Sequence, residues 1–476
     1  MSFFIKVFAF LTLIRYVIAS EQPNFILINV DDLGWKDLGC YGSEIYETPN
    51  IDKLASGGVR FTNAYAVCAV CSPTRAAIMT GRYPARLGVT DWIRARFQGG
   101  KIPSDKKNPS GWVGSSNKKV LCPENALWME LDEITIAEKL KEKKYETCHI
   151  GKWHLGADNW YPEKQGFDEN YGGCDYGQPP SYYDPFTNKR LNGIYGLPGK
   201  KNGQYLTDRE CDEALSFIKR NSKKPFFLNF ANYAVHTPIQ AKPSLLEKYK
   251  KKIKSVNTKQ RNAAYATMVE SVDQAVGRIV ELLKEKKIIN RTVIIFTSDN
   301  GGLLGVTNNF PLRSGKGYPY EGGVRVPFII TWPEVISKGK VLNTPVASID
   351  IFPTICSAAG VDYESQLLID GLDLMPLVLG KDTFVRESLF WHFPHYRGKV
   401  VPYSIIRNGK WKLIKRYDQK TFELFDLNND LSESNDISEK MPNKVVELDK
   451  KLVRWLEETK AKVPKLNPSY ISKQRD

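Results

Sequence analysis

The strongest constraint on the fold is a series of short apolar runs, each of which stops at a polar cluster. Residues 24–30 (NFILINV) have the unbroken apolar pattern of a strand buried on both faces, and they end at Asp31-Asp32. Residues 145–150 stop at Gly151-Lys152, residues 225–230 run into a loop that carries His236, and residues 292–297 end just before Asp299-Asn300. Residues 326–332 form one more apolar strand. Helical stretches lie between these runs, at 52–58, 73–80, 134–143 and 263–284. The second has Pro73 in its first turn and Gly81 just past its end, the expected asymmetry of helix start and stop. Strands alternating with helices predict an α/β fold, a large mostly parallel sheet sandwiched by helices. Ligands in such sheets bind beyond the carboxyl ends of the strands. Asp31, Lys152, His236 and Asp299 are therefore expected to converge on one edge.

The character changes near residue 385. Residues 404–407, 411–414 and 423–426 read as short strands with turn residues between them, and 445–460 reads as a closing amphipathic helix. The predicted organisation is an α/β domain over 21–384 and a smaller C-terminal antiparallel α+β domain over 385–476. Residues 1–20 are set aside as a signal peptide. Lys6 precedes an apolar run over 7–14, and Val17-Ile18-Ala19-Ser20 is a small-residue exit. That run is too short for a membrane anchor and Arg15 interrupts it, so no transmembrane segment is expected. The predicted location is secreted or periplasmic, or lysosomal or extracellular in a eukaryotic host.

Composition bounds the partners. Of the 476 residues 42% are hydrophobic and 25% charged, which excludes a disordered, collagen-like or polytopic membrane protein. The chain can bury a full core without disulfides, and the pairing of its eight cysteines cannot be read from spacing. A net charge of +15 favours an anionic partner. Charge alone does not separate nucleic acid from a sulfated or phosphorylated ligand.

The most informative segment is Cys71-Ser72-Pro73-Thr74-Arg75, continuing to Thr80-Gly81-Arg82. Cys71 precedes a helix start, where free N–H groups favour anions, and Arg75 is placed to face the same side. This segment resembles the signature of the type I, formylglycine-dependent sulfatases of the alkaline phosphatase superfamily, and the match is arylsulfatase-like. Further motifs of that family follow in order, at Asp31-Asp32-Leu33-Gly34, Gly151-Lys152-Trp153-His154-Leu155-Gly156, Ser298-Asp299-Asn300-Gly301-Gly302 and Gly315-Lys316-Gly317. The resemblance runs from Asn24 into the C-terminal region and is nearest to bacterial carbohydrate sulfatases.

The resemblance implies a sulfuric ester hydrolase in which Cys71 is oxidised to formylglycine (3-oxoalanine) by a formylglycine-generating enzyme or an anaerobic maturase. It implies one Ca2+ held by Asp31, Asp32, Asp299, Asn300 and the modified Cys71; oxygen donors of this kind suit a hard cation. It assigns Lys152 and Lys316 to neutralising the sulfate with Arg75, and His154 and His236 to proton transfer. One hydroxyl of the aldehyde hydrate would attack sulfur, with Asp299 taking its proton and His236 protonating the departing oxygen. The remaining hydroxyl, deprotonated by His154, would eject sulfate. His149 has no such role and reads as a hydrogen-bonded structural residue.

The expected substrate is a sulfated sugar or oligosaccharide, with no role for nucleic acid. Trp92 and Arg94 could contact the sugar, or Trp92 could serve packing. Residues 390–397 (FWHFPHYR) bring His392, His395 and Arg397 to the domain junction, either as a leaving-group subsite or as interdomain packing. Three other readings stay open. Cys68-Ala69-Val70-Cys71 also spells a dithiol redox motif. A phosphodiester or phosphonate hydrolase of the same superfamily shares the nucleophile motif, although such relatives usually carry His where Asn300 stands. An unmodified Cys71 would leave a protein that only binds sulfated glycan.

Overall fold

The structure, a computed structural model, describes residues 22–381 and 384–471. The proposed signal peptide lies outside the described residues. The centre is an eight-stranded sheet. Its strands are β1 (Asn24–Val30), β2 (Val59–Phe61), β3 (Glu146–Gly151), β4 (Glu169–Tyr171), β5 (Phe226–Ala231), β6 (Thr292–Ser298), β7 (Phe328–Thr331) and β8 (Lys340–Leu342), in the spatial order β8-β2-β7-β6-β1-β5-β3-β4. β1 pairs in parallel with both β5 and β6, and β3 pairs in parallel with β5 and β4. β7 alone runs antiparallel to its neighbours β6 and β2. The sheet is therefore mostly parallel, the α/β class expected from the alternation of elements.

Both faces are covered, as the apolar runs require. Ile26, Ile28 and Val30 of β1 pack on one side, against the helices α1 (Pro49–Gly57), α3 (Leu206–Asn221) and α4 (Ala263–Glu285). Phe25 and Leu27 point the other way, toward α2 (Cys71–Thr80) and α5 (Ile351–Ala359). Alternate residues of a strand face opposite sides, so one hydrophobic run feeds two cores.

A four-stranded antiparallel sheet follows, β9 (Ser388–Phe393), β10 (Tyr403–Asn408), β11 (Trp411–Arg416) and β12 (Thr421–Asp426), in that order. The helix α6 (Pro442–Glu458) closes it, burying Leu448, Leu452 and Leu456. Trp391 of β9 ties this unit to the large one, its Nε1 donating to the Ala66 carbonyl at 2.7 Å. After α6 the chain returns: Lys465–Leu466 pairs antiparallel with Val120 and Leu121. Asn467 Nδ2 donates to the carbonyls of Ser115 and Lys118, and Ile471 N to that of Ser116. Among the described residues no helix is long and apolar enough to cross a membrane.

Candidate functional site

β1, β3, β5 and β6 all release their polar residues at one edge. Asp31-Asp32 follows β1, Lys152-Trp153-His154 follows β3, the loop to His236 follows β5, and Asp299-Asn300 follows β6. β3 can end abruptly because Gly151 adopts φ +94°, and a β-carbon there would stand 2.1 Å from the Ala231 carbonyl oxygen. α2 begins at Cys71 itself, earlier than the expected start at Pro73. Val70 offers no side-chain cap, and Gly81 closes the helix with φ +68° and a 2.9 Å bond to the Ala77 carbonyl.

The ligating atoms of Asp31, Asp32, Cys71 and His236 all lie within 4.8 Å of one another. Asp299 and Asn300 join this group through Asp32. Asp299 Oδ1 accepts from the Asp32 N–H at 3.1 Å, and Asn300 Nδ2 donates to Asp32 Oδ1 at 2.8 Å. Each carboxylate has a cation. Lys152 Nζ stands 2.7 Å from Asp31, Lys316 Nζ 2.6 Å from Asp32, and Arg75 Nε 2.8 Å from Asp299. Arg75 also donates to the Lys152 carbonyl at 2.8 Å. The three carboxylates and three cations are buried and balance one for one.

This field sets the ionisation of its members. Burial drives a thiol upward, but Lys152 and Lys316 outweigh it and bring Cys71 down to about 6. Asp31 rises well above the usual carboxylate range through burial and the nearby Asp299. Burial opposes Asp32 too, yet Lys316 and His236 hold it well below that range. Burial, Lys152 and Arg75 keep His154 neutral. His236 is raised, because Asp32 and Asp31 overcome burial and the repulsion of Lys316.

Ser72 links three parts of the site. Its Oγ donates to the His154 carbonyl at 2.8 Å and accepts from the Ile93 N–H at 3.0 Å. The sequence marks Ser72 only by its place between Cys71 and Pro73. His154 Nε2 bonds the Ile93 carbonyl at 2.8 Å, which leaves Nδ1 buried without a partner. The Trp92 ring lies 6.4 Å from that of His154, with the Arg94 guanidinium 5.9 Å from the Trp92 ring. Asp91, Trp92, Arg94, His395 and Tyr396 border a cleft of about 570 Å³. Arg397 stands beside it, 3.9 Å from Asp91. His395 meets Thr90 through a 2.8 Å contact between Nε2 and Oγ1.

His392 does not join them. It is buried in the small sheet, with Nδ1 on Ser404 Oγ at 2.7 Å and Nε2 on the Lys462 carbonyl at 3.3 Å, so neither ring nitrogen is left for a substrate. His149 is structural, lying between Asn229 and the Gly151 carbonyl. All eight cysteines are free, and burial pushes the Cys68 thiol up to about 12. A thiol held in that state is a poor redox partner for Cys71.

Residues 23–361 match the protein family described as Sulfatase. The chain belongs to the sulfatase family. It is a sulfuric ester hydrolase with the alkaline phosphatase-like architecture of that family. Residues 314–462 match a second description, N-sulphoglucosamine sulphohydrolase, C-terminal. A sulfatase of Formosa agariphila is 34% identical and aligns over 92% of this chain and 89% of its own. N-acetylgalactosamine-6-sulfatase of Sus scrofa is 36% identical over 80% of this chain and 70% of its own. Among solved structures, Ps i-CgsB in complex with k-i-k-neocarrahexaose superposes with a TM-score of 0.76 at 32% identity, covering 92% of this chain and 94% of that one.

Proposed function

We propose that this sulfatase releases sulfate from a sulfated carbohydrate, using formylglycine made from Cys71 and one Ca2+. The observation that carries the reading is the convergence of Cys71, Asp31, Asp32 and His236 within 4.8 Å, ringed by Arg75, Lys152 and Lys316. The donor set fits a hard cation. Asn300 Oδ1 is a buried acceptor without a hydrogen-bond partner, Asp31 Oδ1 has only the Arg75 guanidinium at 3.5 Å, and a buried oxygen left unmatched costs free energy unless something positive meets it. Asp31, Asp32, Asp299 and Asn300 would hold the ion together with the modified Cys71. The ion supplies a Lewis acid for the sulfate oxygens, and the hydrated aldehyde supplies the attacking hydroxyl.

The remaining work falls to the side chains. Lys152 and Lys316 take up the charge of the sulfate oxygens. Arg75 holds Asp299 and the Lys152 backbone in place. Asp299 accepts the proton of the attacking hydroxyl. His236 Nε2 gives a proton to the departing sugar oxygen. His154 Nδ1, the unpartnered ring nitrogen, takes the last proton when sulfate leaves.

The carbohydrate assignment draws support from relatives. One solved neighbour is in complex with k-i-k-neocarrahexaose, and one relative is named N-acetylgalactosamine-6-sulfatase. The aromatic and basic wall of Trp92, Arg94, His395 and Arg397 suits an anionic sugar. We assign residues 21–384 to the catalytic domain and 385–476 to the C-terminal domain, export to residues 1–20, and maturation to a formylglycine-generating enzyme or anaerobic maturase. The test is mass spectrometry of the Cys71 peptide from matured protein, alongside sulfate release from defined sulfated sugars. An unmodified thiol in fully active protein would overturn the nucleophile, and activity on phosphate diesters alone would overturn the reaction.

A further inference from the structure

We infer that Asp91 and Arg397 together read a free hydroxyl beside the sulfated position of the substrate sugar, and that Asp91 rejects a second sulfate there. This rests on the carbohydrate reading above. The carboxylate is placed rigidly. Asn125 Oδ1 accepts from the N–H groups of Thr90 and Asp91, and Asn125 Nδ2 donates to the carbonyls of Asp91 and Trp92, both at 3.1 Å. Two residues on, Ile93 is bonded both to Ser72, the neighbour of Cys71, and to His154. Asp91 is thus fixed to the nucleophile helix through a short chain of hydrogen bonds.

Asp91 Oδ1 accepts from the Trp92 N–H at 2.8 Å, while Oδ2 takes no hydrogen bond from the described residues. The nearest cation, Arg397 Nη1, is 3.9 Å from Oδ1, which is beyond hydrogen-bond reach. That nitrogen is itself buried and has no hydrogen-bond partner. Arg397 also lies near the turn after Lys316: a β-carbon on Gly317 would stand 3.6 Å from its Cδ. Arg397 thus lies near the Lys316 turn on one side and Asp91, a residue of the cleft wall, on the other.

A carboxylate only accepts and a guanidinium only donates, whereas a hydroxyl does both. A sugar hydroxyl between them satisfies the two groups at once. A sulfate could satisfy Arg397 alone and would meet Asp91 as a like charge. The cleft wall mixes Arg94 and Lys118 with two acids, Asp91 and Glu124; of the two, Asp91 is the one paired with Arg397, so its carboxylate discriminates at that position against a second sulfate.

The test compares matured wild type with Asp91→Asn and Arg397→Gln. The probes are 4-nitrophenyl sulfate, monosulfated galactose and N-acetylgalactosamine, and their disulfated counterparts. For Asp91→Asn, kcat/KM on the preferred monosulfated sugar falls through KM, by about tenfold or more beyond any loss on 4-nitrophenyl sulfate. The ratio of disulfated to monosulfated rates rises by about tenfold. For Arg397→Gln the monosulfated sugar also loses KM, without that rise. An unchanged ratio in Asp91→Asn overturns the inference, as does an equal loss on all substrates, which would make Asp91 a prop for the nucleophile. Wild type that cleaves 4-nitrophenyl sulfate and no sugar would refute the carbohydrate reading, and the inference with it.

Discussion

Asn300 donates from Nδ2 to Asp32 Oδ1 at 2.8 Å, which leaves its own Oδ1 buried and unmatched beside the carboxylates. A cation is the natural partner for that oxygen. Removing it by Asn300→Ala should weaken Ca2+ binding by about tenfold, or about 1.4 kcal/mol. Calorimetry on chelator-stripped protein reads this directly. Added Ca2+ should also raise the Tm of the wild type more than that of the variant. Equal affinities would remove Asn300 from the ligand set.

Cys71→Ala tests the nucleophile. The side chain is small and lies between lysines whose other partners, Asp31 and Asp32, remain. Sulfate release should vanish, while circular dichroism and the unfolding midpoint stay close to wild type. A variant with full turnover would end the assignment of Cys71.

Ser72→Ala should damage both stability and rate. The hydroxyl serves the Ile93 N–H and the His154 carbonyl, both buried, and an unmatched buried group costs about 1–3 kcal/mol. Urea unfolding should show a loss of that order. Because Ile93 holds His154 Nε2, kcat should fall along with it. An unchanged urea midpoint would overturn the stability effect, and an unchanged kcat would overturn the link from Ser72 through Ile93 to His154.

Glu433, which is not one of the site residues, sets a pH dependence of stability. It is buried against Lys412 and Glu321, at 2.8 Å from Lys412 Nζ and 2.6 Å from the Glu321 N–H. Burial raises it from 4.5 to about 7, with Lys412 opposing and Glu321 adding. Between those values the folded chain keeps a proton that the unfolded chain has released. This contribution is present in full below the unfolded value and is lost as pH rises through the folded one. Urea midpoints from about pH 5 to about pH 8 should therefore fall in wild type relative to Glu433→Gln, whose amide cannot ionise. Parallel curves would show that Glu433 is charged throughout.

Much of the edge was legible because strand ends are. A run such as 24–30 fixes a buried strand, and a parallel sheet must bring its carboxyl ends together, so Asp31, Lys152, His236 and Asp299 had to meet. Other features carried no local signal. Ser388–Phe393 is the first strand of the small sheet, yet its aromatics read equally well as a subsite. His392 could be recognised as a packed residue only once Ser404 and Lys462 were seen beside it. α3 (Leu206–Asn221) hides behind charges: five of its charged and polar residues are buried, and Glu210 among them is matched by Asn232 and the Tyr233 N–H of another element. The helix start at Cys71 is set by Val70, which is extended and uncapped, rather than by Pro73.

The return of Lys465–Leu466 to Val120 and Leu121 has a practical consequence. The tail braces residues 115–118, and Ser115 and Lys118 are part of the cleft wall. An affinity tag or immobilisation linker joined directly to Ile471, whose N–H is bonded to the Ser116 carbonyl, would start beside the mouth through which a glycan must enter. Fused ahead of Asn24, at the opposite end of β1 from Asp31-Asp32, the same handle would leave that entrance open.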